Sequence, residues 1–392
     1  MNRSVAPSPR HHHRHHTHPL PLDILEAILA FIRKNAVLCI AATLALVTSC
    51  IVPPDAQYAS YFDWKTLSCL FTVLAVVCAL KNIRFFTFLA KKIVICTGNI
   101  RTASLALVYI TFIGSMLIAN DMALLTFLPL GYFVLSTTGK EAYMAPVFIL
   151  QNIAANLGGM LTPFGNPQNL YLYSYFSIPT GEFMRIMLPA FLLAIAMITA
   201  CCLMLPRERI LLSEEATERP NPRRTVLYLL LFTLAIVSVF RFIPYQIALI
   251  AIPSVLLFAD RRALRAVDYP LLLTFVCFFI FAGNMARIPL VSELLSSLLE
   301  KNPLLVSAAS CQVISNVPSA ILLSHFTTDY PSLLLGVNIG GAGTLIASLA
   351  SLITFREYTS HNPGKAGKYI LQFSLYNFAF LGILLVFASF VR

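Results

Sequence analysis

Residues Asn156 to Asn169 read NLGGMLTPFGNPQN. Glycine and proline punctuate loops. Yet this stretch lies between two apolar ones, MAPVFILQNIAA before it and LYLYSYFSIP after it. The whole segment Tyr143–Ile178 is too long for one straight membrane span and too short for two. A membrane helix broken in its middle fits. Such a break frees backbone N–H and C=O groups at a depth where leaving each unsatisfied costs several kcal/mol. It must therefore face protein or a water-filled cavity.

The rest of the chain has the composition of a bilayer protein. Of 392 residues, 58% are hydrophobic and 11% charged, against roughly 25% charged in a soluble domain. Apolar runs recur at Ala36–Pro53, Thr225–Arg241 and Tyr369–Val391, each about the length of a bilayer core. That excludes a peripheral protein, and a cleaved leader as the sole apolar segment. The net charge of +11 falls in short loops between spans, where it reports topology rather than nucleic-acid binding. The cysteines are scattered through apolar runs without a CxxC, and the pair Cys201–Cys202 lies within a span, as small hydrophobes do. No disulfide and no metal site is assigned.

The charges divide the chain. Residues 1–35 are a tail followed by an amphipathic lead-in; the tract Arg10–His18, RHHHRHHTH, is read as disordered. Residues 36–205 form a first unit and 225–392 a second, joined by the polar linker 206–224. Lys81, Arg84, Lys91, Lys92 and Arg101 mark the cytoplasmic side, with an interfacial helix over Phe85–Ile95 between them. Asn120-Asp121 then interrupts an apolar stretch. Either Ala103–Ala119 and Met122–Ser136 are two full spans with an external loop, or they are arms of a re-entrant hairpin whose tip reaches the midplane. Their shortness and Lys140 at the exit favour the hairpin.

The second unit repeats the plan. Spans fall near Thr225–Phe242, Gln246–Phe258 and Pro270–Met285. An amphipathic helix over Arg287–Lys301 precedes a broken stretch, Pro303–Phe326, centred on SNVPS. Following the Lys/Arg bias, the N-terminus and linker lie inside, and the second hairpin and the C-terminus outside. The halves are then inverted within the plasma (cytoplasmic) membrane. Arg241 and Arg287 end spans and are expected to snorkel. His325 is expected at the interface.

A direct comparison supports the repeat. LIANDMALLTFL (Leu117–Leu128) lies over VISNVPSAILLS (Val313–Ser324), and NLGGMLT (Asn156–Thr162) over NIGGAGT (Asn338–Thr344). The expected fold is an all-α polytopic membrane protein with an inverted repeat, two re-entrant hairpins and two broken transmembrane helices. Their meeting point gives the candidate binding residues. From the tips come Asn120, Asp121, Ser315 and Asn316. From the first break come Asn156, Gly158, Gly159, Thr162, Asn166 and Asn169. From the second come Asn338, Gly340, Gly341 and Thr344. Glycines let backbone approach a ligand closely. Half-helix N-termini suit an anion, and unwound carbonyls with Asn or Thr oxygens suit a small cation. Asp121 can ligate a cation or carry a proton, or instead cap a helix starting at Met122.

These motifs resemble the ion transporter superfamily: divalent-anion/sodium symporters, citrate permeases, arsenite permeases and sodium–proton antiporters. ANDMALLTFLPL, NLGGMLTPFGNPQN, SNVPSAILL and VNIGGAGTLIASLASL carry the resemblance, which runs over nearly the whole chain after residue 35. It implies a scaffold and a mobile transport part, in a homodimer. In the symporter branch each hairpin tip carries Ser-Asn-Thr, which helps bind sodium and a substrate carboxylate. Here the tips are Ala119-Asn120-Asp121 and Ser315-Asn316-Val317, so only the asparagines match. The Asn-Asp tip is closer to arsenite permeases, and LTPFGNPQN closer to citrate permeases.

The expectation is a secondary active transporter for a small anion, a di- or tricarboxylate or an inorganic oxyanion. Sodium or protons would drive it, with sodium near Asn120, Asp121 and Asn156, and no cofactor. The alternative is an arsenite efflux permease or a sodium–proton antiporter. No GxxxxGKS-type loop for ATP is present. An intramembrane enzyme would need a second catalytic partner for Asp121, and the sequence offers none.

Overall fold

The structure, a computed structural model, describes residues 21–211 and 218–391, with side chains from residue 26. The histidine tract Arg10–His18 and linker residues 212–217 lie outside the described residues. Every named element among the described residues is helical. Seven helices are long and apolar enough to cross a membrane: Trp64–Asn82, Ile100–Ile118, Glu141–Leu161, Thr180–Leu203, Pro222–Val239, Tyr269–Ala286 and Ala366–Val391. The chain is an all-α polytopic membrane protein.

The first apolar run is shorter than the sequence implied. Ala36–Ile51 has 16 residues and meets the amphipathic Glu26–Lys34 at 93°. Asn35 stands at the corner, its Nδ2 donating to Phe31 O at 3.3 Å. The lead-in exposes Ile28, Leu29, Phe31 and Ile32 and ends in Arg33-Lys34, the pattern of a helix lying in an interface. Several later helices start by one local rule. Asp268, Asn302 and Asp329 each accept a first-turn N–H just before a proline at the helix start. The side chain satisfies one orphan donor and the proline removes another.

Two helix pairs turn back at a single residue. Ile100–Ile118 passes to Asn120–Thr137 through Ala119 at φ 67°, ψ 151°. Pro303–Ile314 passes to Asn316–Leu323 through Ser315 at φ 76°, ψ 160°. Neither residue is glycine, so each holds a conformation costing roughly 1–3 kcal/mol. In both, the following asparagine accepts the next N–H on its Oδ1 at 2.9 Å (Asp121 N and Val317 N). The first pair's arms are not short, as read from the sequence; they hold 19 and 18 residues.

Polar contacts between loops fall into two groups that share no loop. One gathers around the linker. Glu208 O accepts Ile100 N at 2.9 Å, the Glu208 carboxylate holds Lys140 and Tyr143, and Asn82 bonds Asp260 at 3.0 Å. The other joins Arg287 to Asp55 at 2.6 Å, Arg241 to the carbonyls of Ile178 (2.9 Å) and Tyr173 (2.5 Å), and Tyr330 to Glu182 at 2.7 Å. Arg241 and Arg287 thus make specific bonds instead of snorkelling. Membrane-length helices such as Tyr269–Ala286 and Thr180–Leu203 have one end in each group, so the groups mark the two faces of the molecule. Arg287 holds the Asp55 carboxyl below its usual range, and Lys140 and Tyr143 do the same for Glu208. Both contributions are present at neutral pH and are lost as the pH falls below the ordinary carboxylate range of about 4.

Candidate functional site

The opening stretch breaks a helix as its sequence implies. Met144–Gly158 ends in one 3-10 turn, Gly159–Leu161, and helix resumes at Pro167–Tyr175. In the second half Tyr330–Ile339 ends at Gly340, and helix resumes at Leu349–His361.

The two members of each glycine pair meet different neighbours. A Cβ on Gly158 would lie 2.4 Å from Phe112 O, and one on Gly340 2.8 Å from Ala308 Cα. Both glycines press their broken helix against the first arm of its own hairpin. The close approach at these two glycines is of helix to helix. Gly159 and Gly341 face polar side chains, Asn166 Oδ1 and Asn316 Nδ2. Because a backbone carbonyl cannot step aside, Gly158→Ala is expected to cost about 1–3 kcal/mol. The thermal midpoint of the purified protein should fall by several degrees, whereas Gly181→Ala, with open space around it, should leave it unchanged.

Each break is also fastened to its hairpin by a threonine. Thr162 Oγ1 donates to Met116 O at 2.8 Å and Thr344 Oγ1 to Gln312 O at 3.1 Å. Both carbonyls lie three residues before the turn residue, Ala119 or Ser315. Thr162 and Thr344 therefore secure the hairpins. Gln312 Nε2 takes up the freed carbonyls of Gly340 (2.8 Å) and Ala342 (3.1 Å).

The centre is a buried amide cluster. Asn166 follows Asn156 by ten residues, and Ser348 follows Asn338 by ten. Each stands just before helix resumes, with nearly equal backbone angles (φ −133°, ψ 142° and φ −147°, ψ 142°). They cross. Asn166 Nδ2 donates to Asn338 Oδ1 at 3.2 Å, and Ser348 Oγ donates to Asn156 Oδ1 at 2.8 Å. Each break thus both gives bonds to the other and receives them. Asn338 Nδ2 continues to Asn169 Oδ1 at 2.6 Å, and Asn169 Nδ2 caps the freed carbonyls of Gly159 and Met160, both at 3.2 Å.

Both hairpin tips reach this cluster. Asn120 Nδ2 donates to Asn156 Oδ1 at 3.2 Å. Asn316 N and Ser315 Oγ both donate to Ala347 O, at 3.0 and 3.3 Å, one residue before Ser348. Asp121 is not a cap: its helix begins at Asn120, no side chain caps that start, and its own N–H is bound by Asn120.

The cluster is shielded, with Asn156 2% and Asn169 0% exposed, yet its hydrogen bonding is incomplete. Asn156 Nδ2, Asn166 Oδ1, Gln168 Oε1 and Asp121 Oδ1 are buried without partners. Buried polar groups are normally paired, so the cluster offers one spare amide donor and two spare acceptors, with the Asp121 carboxyl one residue beyond the tip Asn120. Those groups can take an anionic oxygen and a small cation side by side. Gln168 and Ser348 were not read from the sequence as site residues. Gln168 lies within NPQN, and Ser348 repeats the ten-residue spacing of Asn166, so both had a signal.

Comparison with known proteins places the chain among membrane transporters. The citrate transporter family model matches residues 24–331. An uncharacterized transporter of Methanocaldococcus jannaschii is 31% identical over 335 residues, covering 83% of this chain and 90% of that protein. The inner membrane protein YbiR of Escherichia coli is 29% identical over 306 residues, 75% of this chain and 80% of that one. A silicon efflux transporter of Oryza sativa subsp. japonica is 31% identical over 156 residues, 39% of this chain and 31% of that one. With broken helices meeting in a buried polar cluster, and with most of its length matched by one family, the chain belongs to the citrate transporter family of membrane transporters.

Proposed function

We propose that the chain is a secondary active transporter that moves a small anion, a di- or tricarboxylate or an inorganic oxyanion, by alternating access coupled to sodium or protons. The observation that carries this is the reciprocal pair Asn166–Asn338 and Ser348–Asn156 amid unpartnered amide groups. The helices resuming at Pro167 and Leu349 start in the cluster, which favours negative charge there. The freed carbonyls of Gly159 and Met160, with Asn120 and Asp121, favour a cation, sodium or a proton carried on Asp121. The matched turns at Ala119 and Ser315, the matched threonines and the crossed bonds support two inverted repeats with re-entrant hairpins. The bilayer and a second copy of the chain are the expected partners, with neither nucleic acid nor cofactor.

Proteoliposomes given labelled citrate, succinate or sulfate under imposed sodium or proton gradients test this. Gradient-dependent accumulation of one of them supports the reading, and silence toward every carboxylate and oxyanion sinks it. We further place the linker face and N-terminus in the cytoplasm and the C-terminus outside the plasma membrane. In a cysteine-free background, Gln57→Cys should react with an impermeant maleimide in intact cells, and Lys365→Cys only after lysis. The reverse pattern would invert the orientation.

A second reading, efflux of arsenite or a similar hydroxylated solute, or sodium–proton exchange, is favoured by the carboxyl of the Ala119-Asn120-Asp121 tip. The silicon efflux relative adds support. Proton-driven loss of arsenite or silicate from loaded vesicles would establish it.

A further inference from the structure

The face opposite the linker carries a cavity of about 260 Å³ that the central cluster does not use. Its walls are Lys65 near the start of Trp64–Asn82, Ser238 near the end of Pro222–Val239, the turn from Arg241 to Pro244, and Tyr245. Two of these side chains are cationic and none is acidic. Arg241 sits at φ 65°, and its two terminal nitrogens are taken by the Ile178 and Tyr173 carbonyls. Its guanidinium carbon lies 4.0 Å from the centre of the Tyr173 ring. Its Nε is buried without a partner. Ser238 is 2% exposed, and the Cys69 thiol is the one polar group given against its Oγ. Lys65 enters no ion pair among the described residues.

Unpaired buried donors are costly, and two like charges sharing one cavity repel. A bound anion removes both costs. We propose that this cavity is an oxyanion site that takes a carboxylate or phosphate group between Lys65 Nζ, Arg241 Nε and Ser238 Oγ. Its volume falls below the roughly 300–1,000 Å³ of pockets for drug-sized ligands, so it suits one such group rather than a large molecule. Trp64 and Phe242, 61% and 79% exposed beside it, place it at the depth of an interfacial aromatic belt. There the group can come from a free small anion or from a lipid headgroup. Occupancy would also brace Arg241, and through it the outer end of the broken helix Pro167–Tyr175. The site stands whether or not the transport reading does.

The test uses the full chain purified in neutral detergent at low ionic strength. Thermal shift is read against inorganic phosphate, and native mass spectrometry against phosphatidylglycerol with phosphatidylcholine as reference. At least one source binds the wild type. Lys65→Gln weakens that binding about tenfold and Ser238→Ala by a smaller factor. Lys301→Gln, on the same face outside the cavity, leaves it unchanged. Lys65 makes no hydrogen bond that the fold would lose, and Ser238 at most a weak one to the Cys69 thiol, so both variants should fold, with size exclusion as the check. Response to phosphate alone identifies a free anion, and response to phosphatidylglycerol alone a headgroup. Binding of neither, or wild-type affinity in both Lys65→Gln and Ser238→Ala, overturns the proposal.

Discussion

Asp121→Asn is expected to end gradient-driven accumulation while leaving the thermal midpoint unchanged or higher. The substitution keeps the shape and removes the charge. Asp121 Oδ1 is buried without a partner, and its backbone N–H is already served by Asn120. No hydrogen bond of the fold is lost, and a poorly solvated carboxylate, which destabilises the folded state, is gone. Function should move the other way. An ionised acceptor binds a cation or proton donor about twice as strongly as a neutral one. A loss of about 3 kcal/mol would reduce coupled uptake on the order of a hundredfold. Proteoliposomes separate the effects: substrate counterflow without a gradient should survive, and accumulation against one should not. Wild-type accumulation in the variant would remove Asp121 from coupling.

Much of this is legible in the sequence. Glycine, proline and asparagine inside apolar runs mark where helices cannot continue, so both breaks and both turns could be placed within a few residues. The helix Phe85–Ile95 has the bounds its pattern implies. What failed were matters of direction. Gly158 and Gly159 are neighbours in sequence, but one faces the Phe112 carbonyl and the other Asn166. Only the packed hairpin decides which. Ser348 was hidden because its counterpart Asn166 is a different residue type; spacing links them, and identity does not. Arg241 was read as a snorkelling span end because basic residues there usually snorkel. Its partners Ile178 and Tyr173 lie 63 and 68 positions away, and no local pattern reports them. The first hairpin's arms looked short because apolar runs were counted, whereas the helices continue through polar ends such as Arg101 and Thr137.

Asn156 offers the sharper division between the two transport readings. Its Oδ1 accepts from Asn120 and from Ser348, which ties the first tip and both breaks together. Asn156→Ala leaves those two donors without that acceptor, at about 1–3 kcal/mol each. Its thermal midpoint should fall by many degrees, and transport should be lost with the fold. Asn156→Asp keeps an acceptor in the same place, while Nδ2, the cluster's spare amide donor, becomes an oxygen of a carboxyl group. If the cargo is an anion held by that donor, its uptake should fall about a hundredfold or more. The lost bond to a charged group is worth roughly 1.5–3 kcal/mol, and a like charge now faces the cargo. If the cargo is a neutral hydroxylated solute, an added acceptor costs it nothing, and efflux should persist. Anion uptake at the wild-type rate in Asn156→Asp would take the spare donor out of the binding site. A wild-type thermal midpoint in Asn156→Ala would show that the crossed bonds do not join the two halves.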